Sequence, residues 1–125
     1  MPADYSPVFA ALKPVLAVYA DRLVVRKDTP REFMLVTKSP SPIPQHKGQA
    51  MLFGSVRLGK AYASFHLMPI YMSPNLQKKI EPGLKKRMQG KSCFNIKTEP
   101  TADLIDDLRQ LTAFAFEESK EKHWI

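Results

Sequence analysis

The chain has 125 residues, 44% of them apolar and 25% charged, with a formal net charge of +7 and one cysteine. A chain of this length suits one domain that buries roughly two thirds of its unfolded surface, and its composition excludes a disordered or collagen-like protein. Cys93 has no internal disulfide partner, no run approaches the roughly 20 apolar residues of a membrane span, and "MPADYSPVF" lacks the basic-then-apolar pattern of a signal peptide. A cytoplasmic protein without a membrane partner is expected.

In chain order, Ser6 followed by Pro7 reads as a helix start, a capping hydroxyl before the residue best tolerated in the first turn. Val8, Phe9, Leu12, Val15, Leu16 and Tyr19 recur at helical spacing, and Pro14 is expected to kink or divide the helix. "LVVRKD" is ambiguous. "EFMLVT", residues 32–37, reads as a short strand of large and branched residues. "KSPSPIPQHKGQ", residues 38–49, has too many prolines for a helix or a central strand and reads as a connection or flap. "AMLFGSVRL" and "AYASFHLMPIY" read as two antiparallel strands joined at Gly59-Lys60, where glycine suits the first central position of a type II′ turn.

From Ser73 the pattern turns helical, with Ser-Pro and Glu-Pro starts at 73–74 and 81–82 and Gly90 as a left-handed helix cap. "SCFNIK" reads as a fourth strand. Thr101 caps a long final helix whose Asp103, Asp106 and Asp107 lie near its positive end and whose Leu104, Leu108, Leu111 and Ala115 form one stripe. Together these elements predict a single α+β domain over residues 1–125, with a mainly antiparallel four-stranded sheet packed against N- and C-terminal helices.

Charge is uneven along this order. Residues 78–97 carry seven Lys or Arg against one acid, and residues 98–125 carry three against seven. Within the basic run, Gly90-Lys91-Ser92 invites comparison with a phosphate loop of the form G-x-x-x-x-G-K-[ST]. That pattern needs a glycine at position 85, which is Lys85, and needs a strand-to-helix order where this segment runs from helix into strand. A cap and strand are expected instead.

"HLMPIY", followed by "LKKRMQGKSCFNIK" and an amphipathic terminal helix, resembles the YdhG-like family of small bacterial domains of unknown function over roughly residues 50–115. The resemblance implies a curved antiparallel sheet with helices on one side. Some relatives are described as frataxin-like iron-binding proteins, which present acidic helix surfaces because iron prefers hard oxygen ligands. The basic middle of this chain does not match that surface, and no metal or cofactor is carried over.

Strand alternation places Tyr62, Ser64, His66 and Met68 on one face and Ala61, Ala63, Phe65 and Leu67 on the other, the better core face. On the preceding strand it groups Met51, Phe53, Ser55 and Arg57. If the mixed faces coincide, Arg57, Tyr62, Ser64 and His66 line one concave surface suited to a small anion, Arg57 holding a carboxylate or phosphate and the others supplying hydrogen bonds. The competing reading has a satisfied sheet histidine and a solvated arginine.

Lys78, Lys79, Lys85, Lys86, Arg87 and Lys91 form a basic cluster suited to phosphate backbones, although it lacks interleaved aromatics for base stacking. A solvated helix face is the plainer alternative. Cys93 lacks a base tied to it by spacing, since His46, His66 and His123 are distant in sequence, and an inert buried thiol is expected. The leading expectation is therefore a non-enzymatic binding domain for a small anion or a protein partner. Weak nucleic-acid binding, an enzyme using His66 or Cys93, and a homodimer closing the sheet face remain as alternatives.

Overall fold

In a computed structural model of the chain, residues 5–40, 47–90 and 92–125 are described, the side chains of Ser39 and Pro40 excepted. Residues 41–46 of the expected flap and Lys91 of the basic cluster thus lie outside the described residues, whereas residues 38–40 belong to a strand rather than a connection, Pro40 standing opposite Ala50 beyond a break in register. The architecture is α+β: an antiparallel sheet of five strands, with helices at both ends of the chain.

Helix α1 spans Ser6–Ala17, with Tyr5 at the cap position and Pro7 in its first turn. It buries Val8, Phe9, Leu12, Val15 and Leu16, which follow the spacing seen in the sequence. Pro14 does not divide it. Pro14 and Ala10 are both exposed, so the carbonyl that Pro14 leaves without an N–H partner lies on the solvent side, where water can satisfy it.

Strands β1 (Val24–Asp28), β2 (Glu32–Pro40), β3 (Ala50–Leu58), β4 (Ala63–Leu67) and β5 (Cys93–Ile96) are neighbours in that order, every pair antiparallel. The expected four strands become five because "LVVRKD" supplies β1. Every residue of β1 is exposed, so it carries no buried alternation to mark it, and Arg26 stands out of register as a bulge.

The hairpin between β3 and β4 also differs from expectation. Leu58 pairs with Ala63, so the connection is the four residues Gly59–Tyr62, and Gly59 is not among the residues with positive φ. Glycine is required at 59 by closeness instead: a Cβ there would stand 2.8 Å from the Tyr62 carbonyl oxygen, which accepts the Gly59 N–H at 2.9 Å. The "MPIY" end of the expected strand is helix α2 (Met68–Met72), with Pro69 in its first turn. Pro69 has no N–H for a sheet ladder and tolerates a helix start.

Two short helical turns, α3 (Pro74–Gln77) and α4 (Pro82–Lys85), follow. Ser73 caps α3 by accepting the Leu76 N–H at 3.2 Å, as its Ser-Pro start predicts. Gly90 adopts the left-handed φ of 78°, but it does not cap α4, which ends five residues earlier. It lies in a turn that folds residues 87–89 back along β5, with the Gln89 N–H bonded to the Cys93 carbonyl and the Asn95 N–H to the Arg87 carbonyl, both at 2.9 Å. The described residues on either side thus run from a short helix into β5, the order opposite to that of a phosphate loop.

Helix α5 (Ala102–Glu121) starts as predicted, Thr101 accepting the Leu104 N–H at 3.2 Å, and buries Leu104, Leu108, Leu111, Ala115 and Phe116. Helix α1 packs on β3 and β4, and α5 packs on α1 and on the short helices. Between them, Phe33, Leu35, Val56, Phe65, Leu67, Phe94 and Ile96 form the inner face of the sheet. Gly54 permits the contact with α1, because a Cβ there would stand 2.9 Å from Leu16 Cδ2. The opposite face of the sheet carries the polar residues.

Candidate functional site

Cross-strand pairing defines the outer face. Arg57 stands opposite Ser64, Ser55 opposite His66, Ser64 opposite Asn95, and His66 opposite Cys93. Directly paired residues project to the same side of an antiparallel sheet, so Arg57, Ser64 and His66 share one face, as the alternation predicts. Ala63, Phe65 and Leu67 are fully buried on the other.

The grouping of Met51 and Phe53 with Ser55 and Arg57 is corrected. Leu35 pairs with Gly54 and Val36 with Leu52, so Phe53 is an extra residue between consecutive pairs, and strict alternation is lost there. Phe53 is fully buried in the core, edge-on to Phe116 at a ring separation of 6.0 Å, and Met51 is fully buried as well. A period-two reading cannot anticipate a bulge.

At the Arg57 end of this face the β1–β2 turn and the β3–β4 loop enclose an open depression of about 610 Å³. Arg57, Tyr62 and Ser64 line it, joined by Arg31 and Lys60, with Thr29 and Glu32 on the wall. The β1–β2 turn is held firmly: Thr29 Oγ1 accepts the Arg31 N–H at 3.2 Å and the Glu32 N–H at 3.0 Å, while the Thr29 N–H donates to the Glu32 carbonyl at 2.9 Å. The Leu58 N–H donates to the Arg31 carbonyl at 2.8 Å and fastens this turn to the end of β3.

Glu32 is paired with Arg57 in the sheet register, yet its carboxylate meets Lys27 Nζ at 3.2 Å. Among the described residues Arg31, Arg57 and Lys60 therefore have no ion-pair partner. Arg31 and Lys60 were not picked out by sequence reasoning. The signal was the turn-forming "DTPR" between "LVVRKD" and "EFMLV": reading the first run as a strand makes 28–32 a hairpin end beside Arg57.

His66 does not line the depression. It lies further along β4, its Nε2 3.4 Å from the Oγ of buried Ser92. Burial holds its pKa below the ordinary histidine value. The sheet also sets His66 opposite Cys93, a proximity that sequence separation concealed. Burial raises the Cys93 pKa, against the smaller lowering effects of hydrogen bonds involving Phe94 and Ser64. Both shifts favour the neutral thiol and the neutral imidazole, opposite to the thiolate and imidazolium of an activated cysteine.

The basic cluster is only partly available. Lys78, Lys79, Lys85 and Lys86 are exposed, but Arg87 is half-buried and donates to the carbonyl of Gly83. Lys79 Nζ lies 4.6 Å from the centre of the Phe114 ring. It also acts on Glu118, a buried carboxylate that accepts from Asn75 Nδ2 at 2.9 Å. Burial pushes the Glu118 pKa up, yet hydrogen bonds from Ser73 and Asn75 and the charges of Lys122 and Lys79 outweigh it and leave the carboxyl below its ordinary value.

No group of three or more His, Cys, Asp or Glu among the described residues is placed to hold a metal ion, and no described helix is long and apolar enough to cross a membrane. Comparison of the chain with protein-family models, with curated proteins and with solved structures finds no match.

Proposed function

We propose that the chain is a non-enzymatic cytoplasmic binding domain of the YdhG-like type, which takes a small anionic ligand at the Arg57 end of its outer sheet face. The observation that carries this reading is the convergence of Arg31, Arg57 and Lys60 on one depression, without ion-pair partners among the described residues. Guanidinium groups hold carboxylates and phosphates through paired N–H donors, and such charge-assisted bonds are about twice as strong as neutral ones. The volume, about 610 Å³, falls within the range typical of small-molecule sites. The raised pKa of Cys93 argues against an enzyme that uses that thiol as its nucleophile, and a single cysteine supports the reducing compartment.

The test is a thermal-shift titration with pyrophosphate and citrate at low and moderate salt. A ligand present at a hundred times its dissociation constant should stabilise the fold by about 2.7 kcal/mol. The shift should survive moderate salt and disappear in Arg57→Ala. A shift that Arg57→Ala leaves intact refutes the assignment.

A further inference from the structure

Resting on the anion reading above, we propose that the depression takes a small phosphomonoester whose organic body carries hydroxyl groups, as a sugar phosphate does. Three cations without ion-pair partners among the described residues line the depression with one carboxylate, Glu32, that Lys27 already neutralises. A monocarboxylate would balance only one of the three. A phosphomonoester carries a charge of about −1.5 to −2 near neutral pH and offers three acceptor oxygens in a tetrahedral array. Arg31 and Arg57 come from adjoining backbone segments, joined by the bond from the Leu58 N–H to the Arg31 carbonyl. Two planar forks and one ammonium can each meet a different edge of a tetrahedral anion, whereas a planar carboxylate offers one bidentate edge.

The rest of the depression defines the body of the ligand. Its volume of about 610 Å³ is many times the roughly 30 Å³ that one water occupies, so a bare anion leaves most of it unfilled. Beside the cations the lining includes Ser64 and Glu32, the cross-strand neighbours of Arg57, together with Tyr62 and apolar surface from Leu58 and Ala61. An ionised carboxylate has about four acceptor positions, so Glu32 keeps acceptor capacity beyond its contact with Lys27. That capacity suits hydroxyl donors on the ligand. The complementary ligand is thus an anion whose body carries hydroxyl groups.

Calorimetric titration of the full chain at moderate salt with ribose 5-phosphate, inorganic phosphate, succinate and ribose tests the assignment. Ribose 5-phosphate should bind about tenfold more tightly than any of the other three, and Arg31→Ala and Arg57→Ala should each weaken it about tenfold or more without changing the melting temperature. Glu32→Gln should narrow the gap between ribose 5-phosphate and inorganic phosphate. Succinate binding as tightly as ribose 5-phosphate overturns the phosphomonoester class and leaves the anion reading standing. Equal binding of inorganic phosphate, or a gap unmoved by Glu32→Gln, overturns the hydroxylated body. Silence toward every anion overturns both readings. Sedimentation with vesicles of phosphatidylcholine and phosphatidic acid that ribose 5-phosphate fails to reverse shows a lipid headgroup as the source of the phosphate and overturns the soluble ligand.

Discussion

The segment from Lys78 to Lys91 holds six basic residues within fourteen positions, while Arg31, Arg57 and Lys60 are spread over thirty, yet it is the second set that lines one depression. The difference lies in what each backbone does. Residues 78–90 form short turns whose side chains diverge: Leu84 points into the core, Arg87 binds the Gly83 carbonyl, and Lys79 lies over Phe114. The other set sits at the ends of two adjacent hairpins, and the sheet brings those ends together. Charge density along a chain therefore measures local composition, whereas convergence depends on strand register.

The largest effect should come from the anchor beneath the basic segment. Leu84 is fully buried, so Leu84→Ala should cost about 2–5 kcal/mol through lost burial and a residual cavity, read by urea denaturation. A cost no larger than that of a surface substitution would mean that the segment is not held by the core. Next in size is the contrast in ligand binding. Arg57→Ala should weaken binding of the anion about tenfold or more, while Lys85→Gln combined with Lys86→Gln should change it by less than about twofold at moderate salt, since screening mutes exposed charges at a distance. An equal loss in both variants would break the comparison.

Ser73→Ala removes the cap of α3 and should cost about 1 kcal/mol, measurable in the same denaturation series. Because the Ser73 hydroxyl also helps to hold Glu118 ionised, the acid side of the stability curve should shift upward in pH in that variant. The smallest effect belongs to the outer face beyond the depression. Burial keeps the His66 pKa below its unfolded value of about 6.5, so the folded state resists protonation there. The associated stability is present above about pH 6.5 and is lost as the pH falls from there toward the folded pKa. Melting temperatures between about pH 7.5 and 5.5 should decline, and His66→Gln should flatten that decline.

Much of this frame was legible from local pattern. The stripes of α1 and α5, the caps at Ser73 and Thr101, and the face shared by Arg57, Ser64 and His66 follow from spacings of three and four, from side-chain oxygens aimed at nearby N–H groups, and from the period of two. These are short-range effects, settled within a few residues. What escaped has longer range. Strand β1 has no buried alternation to show, and Phe53 enters the core only because β2 and β3 pair with an extra residue between them. Gly59 is required by the approach of the Tyr62 carbonyl rather than by its own φ.

By itself, the sequence determined which residues are apolar and at what period they recur, and hence where helices start and which strand faces are buried. Only the tertiary structure decided that Arg31 and Lys60 join Arg57, that Glu32 turns to Lys27, and that His66 stands opposite Cys93. The physical reason is that a site forms where segments distant along the chain are brought within a few ångströms, and strand register, including each bulge, sets that meeting.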